Sequence, residues 1–272
     1  MTPDIRSVRA LAFTTPLGEA YLDDAALLLP TLPPRSVRLI VSSPPFALDD
    51  SAPPAAEASG PYAEWLLAYL ELFERLLVEG GHVVLEMGSA WRGRRERSIG
   101  CFEAIVRACR DGGWHLLQEF YWYNPSSLVP VTGSAPDDRF RDSVSMCWWV
   151  SRTTEVRPHM DRVARFNNSL LVANSNLLLF APGPDEEAYG QRCREAGLQA
   201  HQQAFPSAFA AFFVELLTEP GDVVLDPFAG SCTSGLAAER SGRRWICVER
   251  DPKLFRTAIH RFDPKPSCGG AS

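Results

Sequence analysis

The stretch Gly221–Asp251, GDVVLDPFAGSCTSGLAAERSGRRWICVERD, runs from a short apolar strand through a glycine turn and a helix to a second strand that ends on an acid. Val223–Leu225 and Trp245–Val248 are the expected strands, and Leu236–Arg240 the expected helix. Alternation of this kind predicts a mostly parallel sheet with helices on both faces. In such sheets a ligand lies beyond the carboxyl ends of the strands. Gly230 allows a ligand close to the backbone, and Glu249, about twenty residues on, is placed to accept hydrogen bonds from both hydroxyls of a ribose. Asp226 adds a second carboxylate.

The spacing is not the G-x-G-x-x-G of dinucleotide enzymes, and an acid at Asp226 sits badly beside a pyrophosphate. A cationic cofactor fits better. S-adenosyl-L-methionine carries an ammonium and a sulfonium, has a free ribose and no phosphate, so both Asp226 and Glu249 find partners. The competing reading is an ordinary strand-turn-helix with a surface glutamate.

Working outward, Phe205–Leu217 has helical spacing, and Leu254–Phe262 closes the chain with another helix. Upstream, Val37–Val41 is a core strand, Tyr62–Val78 a helix ended by Gly80-Gly81, and His82–Met87 the next strand. Ile99–Arg110 repeats the helix and stops at Gly112-Gly113, while Leu116–Tyr123 and Val144–Val150 are aromatic-rich strands suited to an antiparallel pair. Val8–Tyr21 reads as a hairpin around Pro16-Leu17-Gly18, followed by a short helix over Ala25–Leu29. Residues 151–203 show little periodicity and are expected to form a loop-rich insertion within one domain spanning 1–272.

The 272 residues, 46% hydrophobic, can fill a substantial core. No stretch approaches the roughly 18 apolar residues of a membrane span, and the first residues, MTPDIRSVRALAF, lack the apolar core of a signal peptide. A cytoplasmic protein with no membrane partner is expected. The seven cysteines are scattered without a C-x-x-C pair or a nearby histidine, which suggests reduced thiols and no metal site. A net charge of −6 argues weakly against nucleic acid, but 25 of the 27 basic residues are arginine, whose planar fork suits phosphate and guanine. Codon bias in a GC-rich genome explains the same excess.

A second motif lies at Val41–Asp50, VSSPPFALDD. Two prolines after Ser43 enforce a stiff extended turn and leave carbonyl oxygens unused by any following helix. A hydroxyl at Ser43, free carbonyls at the prolines and the ring of Phe46 match a nucleobase amine, which needs acceptors for its N–H groups and a surface to stack on. The Pro/Ala/acid-rich stretch 49–60 that follows is a candidate lid.

The order of SPPF, FYWYNP (Phe120–Pro125), FPSAFAAFF (Phe205–Phe213), DPFAGSCTSG and VERD resembles the β-class amino-methyltransferases of DNA, in which the catalytic half precedes the cofactor half. The similarity extends to GEAYLDDAALLLPTLPPRSVRLIVSSPPF and covers most of the chain. It implies a Rossmann-like S-adenosylmethionine-dependent methyltransferase fold, α/β, with a seven-stranded, mostly parallel sheet. It also implies a catalytic turn at Ser43, Pro44, Pro45 and Phe46, and cofactor contacts at Asp226, Phe228, Ala229, Gly230, Ser231, Thr233 and Glu249, with the Phe205 segment beside the methionine end. Serine before the prolines is the form typical of enzymes acting on N4 of cytosine. The chain departs from the common motif at Cys232, where glycine is usual, at Ser234, where threonine is usual, and at Asp23-Asp24, where Gly-Asp is common.

The activity so implied is methyl transfer to N4 of cytosine in double-stranded DNA, of restriction-modification or epigenetic type. A flipped base would be gripped by Ser43 Oγ and the Pro44 carbonyl, with no covalent cysteine intermediate. Residues 151–203, with Arg152, Arg157, Arg162, Arg165 and Asn167, Asn168, Asn174, Asn176, form the candidate target-recognition region; Arg139 and Arg141 and the Arg92–Arg97 cluster are further basic candidates. N6-adenine methylation, an RNA or protein-glutamine methyltransferase, and a noncatalytic S-adenosylmethionine-binding protein are the rival readings. The oligomeric state stays open, a homodimer being one form.

Overall fold

In strand β3 (Val37–Ser42) alternate side chains enter two different apolar clusters: Leu39 and Val41 pack on one, Val37 and Ile40 on the other. The same period-two division holds for Val83 and Leu85 against Val84 in β4 (Leu77–Met87), and for Val224 against Leu225 in β10 (Val223–Asp226). A strand apolar on both faces has to lie inside a three-layer stack. The computed structural model, which describes residues 11–45, 62–87, 91–92, 96–123, 142–166, 175–201, 204–262 and 267–268, has that architecture.

The remaining strands are β1 (Leu11–Thr14), β2 (Gly18–Leu22), β5 (Trp91–Arg92), β6 (Glu96–Arg97), β7 (His115–Tyr123), β8 (Val144–Ser151), β9 (Leu177–Leu178), β11 (Arg244–Glu249) and β12 (Ser267–Cys268). Apart from the β5-β6 pair they join one sheet of ten strands, ordered β12-β1-β2-β11-β10-β3-β4-β8-β7-β9. The expected seven strands are its centre, β2 to β7. Six of these run the same way, and β8 is antiparallel to both neighbours. The outer three strands are the surplus over the expected count: β1 and β12 extend one edge, β9 the other.

The helices are α1 (Ala25–Leu28), α2 (Tyr62–Leu76), α3 (Gly100–Arg110), α4 (Met160–Val163), α5 (Pro184–Glu195), α6 (Ser207–Leu217), α7 (Thr233–Arg240) and α8 (Pro252–Ala258). On one face of the sheet α2 buries Trp65, Leu66, Tyr69, Leu70 and Phe73, a stripe at helical spacing, beside Ile105 of α3. On the other, Phe209, Phe213 and Val214 of α6 meet Leu236 of α7 and Phe255 of α8. Each fully buried side chain of this size contributes about 1.5–3 kcal/mol by leaving water.

Three expectations are corrected. Gly80-Gly81 does not terminate α2; the helix ends at Leu76 and the glycines lie inside β4, where Gly80 has φ +66° and the pairing slips between Val37↔Leu77 and Leu39↔His82. A left-handed residue there makes a bulge, which glycine accommodates without strain. Helix α6 starts at Ser207 rather than Phe205, because Pro206 is its extended N-cap. Residues 151–203 are not a loop-rich insertion. They carry α4, β9 and α5, whose Tyr189 and Cys193 are buried, so these residues belong to the main fold. The candidate lid at 49–60, Val8–Ala10, and Asn167, Asn168, Asn174, Arg139 and Arg141 lie outside the described residues.

Candidate active site

Strands β3 and β10 are adjacent and parallel, yet the chain leaves β3 toward β4 on one side and β10 toward β11 on the other. That is a topological switch point, where neighbouring loops diverge and open a crevice at the carboxyl ends of the strands. Ser42 and Ser43 stand at the end of β3, Asp226 at the end of β10. The two halves are tied there: Ser42 Oγ donates to Asp226 Oδ1 at 2.5 Å.

Asp226 is 2% exposed and also accepts from Ser234 Oγ at 2.5 Å and from the Phe228 amide at 3.1 Å. Its acceptor sites are thus largely committed to protein donors. Burial, opposed by these hydrogen bonds, pushes its carboxyl up to about 6. The expectation that Asp226 offers a free charge to a cationic cofactor is replaced by a tie between the SPP turn and the glycine turn.

Ser43 Oγ donates to Glu86 Oε2 at 2.5 Å. Glu86 is near the end of β4, 4% exposed, and pushed above the ordinary carboxylate range by burial, with hydrogen bonds from Ser43 and Ser145 acting against that shift. Pro44 is buried and Pro45 exposed, while Phe46 lies outside the described residues. Sequence reasoning missed Glu86, since a lone acid in LEMG reads as the exposed face of a strand; its signal was an acid in an otherwise apolar run.

The glycine turn is equally built. Gly230 has φ +52°, and its amide donates to Glu249 Oε2 at 2.8 Å, while Glu249 Oε1 accepts from the Asp251 amide at 2.7 Å. Each carboxylate oxygen keeps lone-pair capacity for a hydroxyl. Cys232 takes φ +57°, a left-handed conformation that costs a side-chain-bearing residue about 1–2 kcal/mol and explains why glycine is usual there. Ser231, fully buried, accepts from Arg261 Nη2 at 2.9 Å. Phe228 packs against Trp65 and Tyr69 of α2, and Ala229 is buried. Phe205 is buried against Phe209. Asp24 caps α1, accepting from the Ala26 amide.

S-adenosyl-L-methionine fits this donor set. A side chain at Gly230 would fill the cradle, Glu249 offers two oxygens at one edge, and Thr233 Oγ1 is buried with no hydrogen-bond partner among the described residues.

A family model for DNA methylases of the N6/N4 type matches residues 37–260, the whole span from β3 to the end of α8. The chain belongs to this family. The methylase is 32% identical over 286 residues to the type II methyltransferase M.PvuII of Proteus hauseri, covering 92% of this chain and 85% of that protein. It is 24% identical to M.Cfr9I of Citrobacter freundii, covering 88% and 85%. Its structure superposes on the cytosine-N4-specific PvuII DNA methyltransferase with a TM-score of 0.80, covering 93% and 89% of the two chains. The DNA modification methylase of Thermus thermophilus, solved with S-adenosyl-L-methionine, superposes at 0.62 with 25% identity, covering 90% and 92%. The methylase therefore has a methyltransferase fold, takes S-adenosyl-L-methionine as cofactor and acts on DNA, which removes the noncatalytic, RNA and protein-glutamine readings.

The arginines singled out in 151–166 lie at the other end of this fold. Arg162 donates to the Thr218 carbonyl and pairs with Glu219, and Arg165 pairs with Glu215, all before β10 begins. Arg157 lines a cavity of 820 Å³ with Arg38, Gly80, His159 and Asp222, at the amino ends of β3, β4 and β10. Asn176 Nδ2 is spent on the Glu119 carbonyl. No helix among the described residues is long and apolar enough to cross a membrane, and no group of three or more metal-ligating side chains occurs among them.

Proposed function

We propose that the methylase transfers a methyl group to N4 of cytosine in double-stranded DNA, and that Ser43 is the residue that receives the target amine. The observation that carries this is the Ser43–Glu86 hydrogen bond at the switch point. Its proton is committed to Glu86, so Ser43 Oγ meets a substrate amine as an acceptor. This replaces the expectation that the hydroxyl donates to the ring N3 of cytosine.

The Pro44 carbonyl is the second acceptor of this reading. With both N–H groups held, the amine lone pair turns out of the ring plane and becomes a nucleophile. S-adenosyl-L-methionine, when bound, supplies an electrophilic methyl on sulfur. As the new N–C bond forms, the amine must lose a proton. Ser43 Oγ accepts it and passes its own proton to Glu86, whose raised pKa suits it to hold one near neutral pH. Asp226 keeps this relay aligned with the cofactor turn through Ser42 and Ser234. Alignment of nucleophile and methyl supplies the main rate gain.

The relatives' specificity for cytosine N4 supports the same target atom here. DNA approaches from the carboxyl ends of the strands in this reading. Target reading then falls to the basic stretches that leave strands at that end: Arg92–Arg97 after β4, and Arg139 and Arg141 between β7 and β8. The test is nucleoside mass spectrometry of duplex DNA treated with the purified chain and labelled cofactor. N4-methylcytosine is expected; N6-methyladenine would favour the adenine alternative.

A further inference from the structure

The glycine turn carries more hydrogen-bonding capacity than the protein uses. His201 Nδ1, Thr233 Oγ1 and Arg261 Nη1 are all buried without a hydrogen-bond partner among the described residues. Glu186 stands 3.7 Å from Arg261 Nη1, an ion pair but too long for a hydrogen bond. Leaving one buried polar atom unpaired costs about 1–3 kcal/mol, so three around one turn require a common cause.

Gly230 gives the location. A Cβ at that residue would lie 2.9 Å from both Nδ1 and Cε1 of His201, so the imidazole edge rests on bare glycine backbone. The ring is held there by a built support. The His201 amide donates to Tyr189 Oη at 3.0 Å, and Tyr189 Oη donates to Thr257 Oγ1 at 2.7 Å. The Arg261 guanidinium lies 3.8 Å over the Tyr189 ring and donates to Ser231 in the turn itself. Helix α5 thus braces the cofactor turn.

We propose that His201 binds the amino-acid end of S-adenosyl-L-methionine, donating from Nδ1 to its α-carboxylate, with Thr233 Oγ1 as a second donor. Burial first, then the neighbouring Arg261, lowers the imidazole pKa, with Asp251 acting the other way, so the ring is a neutral donor. Two neutral donors beside an arginine suit a carboxylate and not an ammonium. Glu249, on the other side of the Gly230 amide, serves the ribose. The inference rests on the cofactor reading of this turn.

Calorimetric titration of the full chain with S-adenosylmethionine, S-adenosylhomocysteine and 5′-methylthioadenosine, which lacks the amino-acid end, separates the possibilities. His201→Ala should weaken the first two about tenfold, the usual cost of one lost hydrogen bond to a charged group, and leave the third unchanged. Thr233→Val should show the same split. Equal weakening of all three ligands would mean that His201 only supports the turn, and no change in any would remove it from the site; either overturns the proposal. If the unaltered chain bound none of the three, the cofactor reading itself would fall.

Discussion

Ser43 Oγ and Glu86 Oε2 stand 2.5 Å apart at the ends of two adjacent parallel strands, β3 and β4. A serine hydroxyl alone is a weak proton acceptor; one that can hand its proton to a buried carboxylate is a relay. Ser43→Ala should therefore lose most turnover while S-adenosylmethionine affinity stays within about tenfold, since the hydroxyl touches the base and not the cofactor. Glu86→Gln keeps the shape and a hydrogen-bonding atom but removes the proton acceptor, so kcat should fall with little change in cofactor binding. Steady-state kinetics beside calorimetry reads both, and an undiminished kcat in Glu86→Gln would remove the relay.

The buried carboxyl of Asp226 makes a pH prediction. Its folded pKa, about 6, lies above the ordinary 3.8, so its contribution to stability is present below pH 4 and is lost as pH rises from about 4 to about 6. The difference in unfolding free energy between Asp226→Asn and the unaltered chain should therefore shift in favour of the variant across that window. Denaturant titrations at pH 4, 5, 6 and 7 check this; a difference independent of pH would contradict it.

Glu249 accepts two backbone amides, Gly230 and Asp251, besides the ribose it is proposed to hold. Glu249→Ala should weaken S-adenosylmethionine by about 1–3 kcal/mol and also lower stability, because those amides lose their acceptor. Glu249→Gln should recover much of the stability and less of the affinity. A thermal melt beside the titration separates the two effects.

Cys232 offers a test of backbone strain. Cys232→Gly relieves the left-handed penalty but leaves a gap and a looser unfolded chain, so its stability should stay within about 1 kcal/mol. Cys232→Val, β-branched at φ +57°, should cost about 2 kcal/mol or more. Equal stability of the two variants would show that the turn relaxes out of this conformation.

Much of this fold was legible because its cause is local. The alternation of β10, α7 and β11, the glycine turn and the Pro-Pro break are all written in short stretches. What could not be read depends on partners far apart in the chain. Glu86 becomes a site residue only because β3 and β4 pair, Asp226 becomes a tie because Ser42 and Ser234 reach it, and His201 faces Gly230 only through Tyr189 and Thr257. The irregularity of 151–203 was genuine, but its arginines answer acids on neighbouring elements such as Glu215 and Glu219.

That placement bears on DNA binding. Arg157→Ala and Arg162→Ala should leave duplex affinity and its salt dependence unchanged, while alanine at Arg94, Arg95 or Arg97 should weaken binding and reduce the salt slope by about one for each phosphate no longer neutralised. Fluorescence anisotropy over a salt series reads both, and the reverse pattern would return recognition to 151–166.

The central claim is the pairing of a target atom with the residue that receives it. Duplex DNA incubated with labelled S-adenosylmethionine and either the unaltered chain or Ser43→Ala, then digested to nucleosides for mass spectrometry, tests it in one measurement. The account predicts N4-methylcytosine from the unaltered chain and almost none from the variant. N6-methyladenine as the main product, or N4-methylcytosine undiminished in Ser43→Ala, would contradict it.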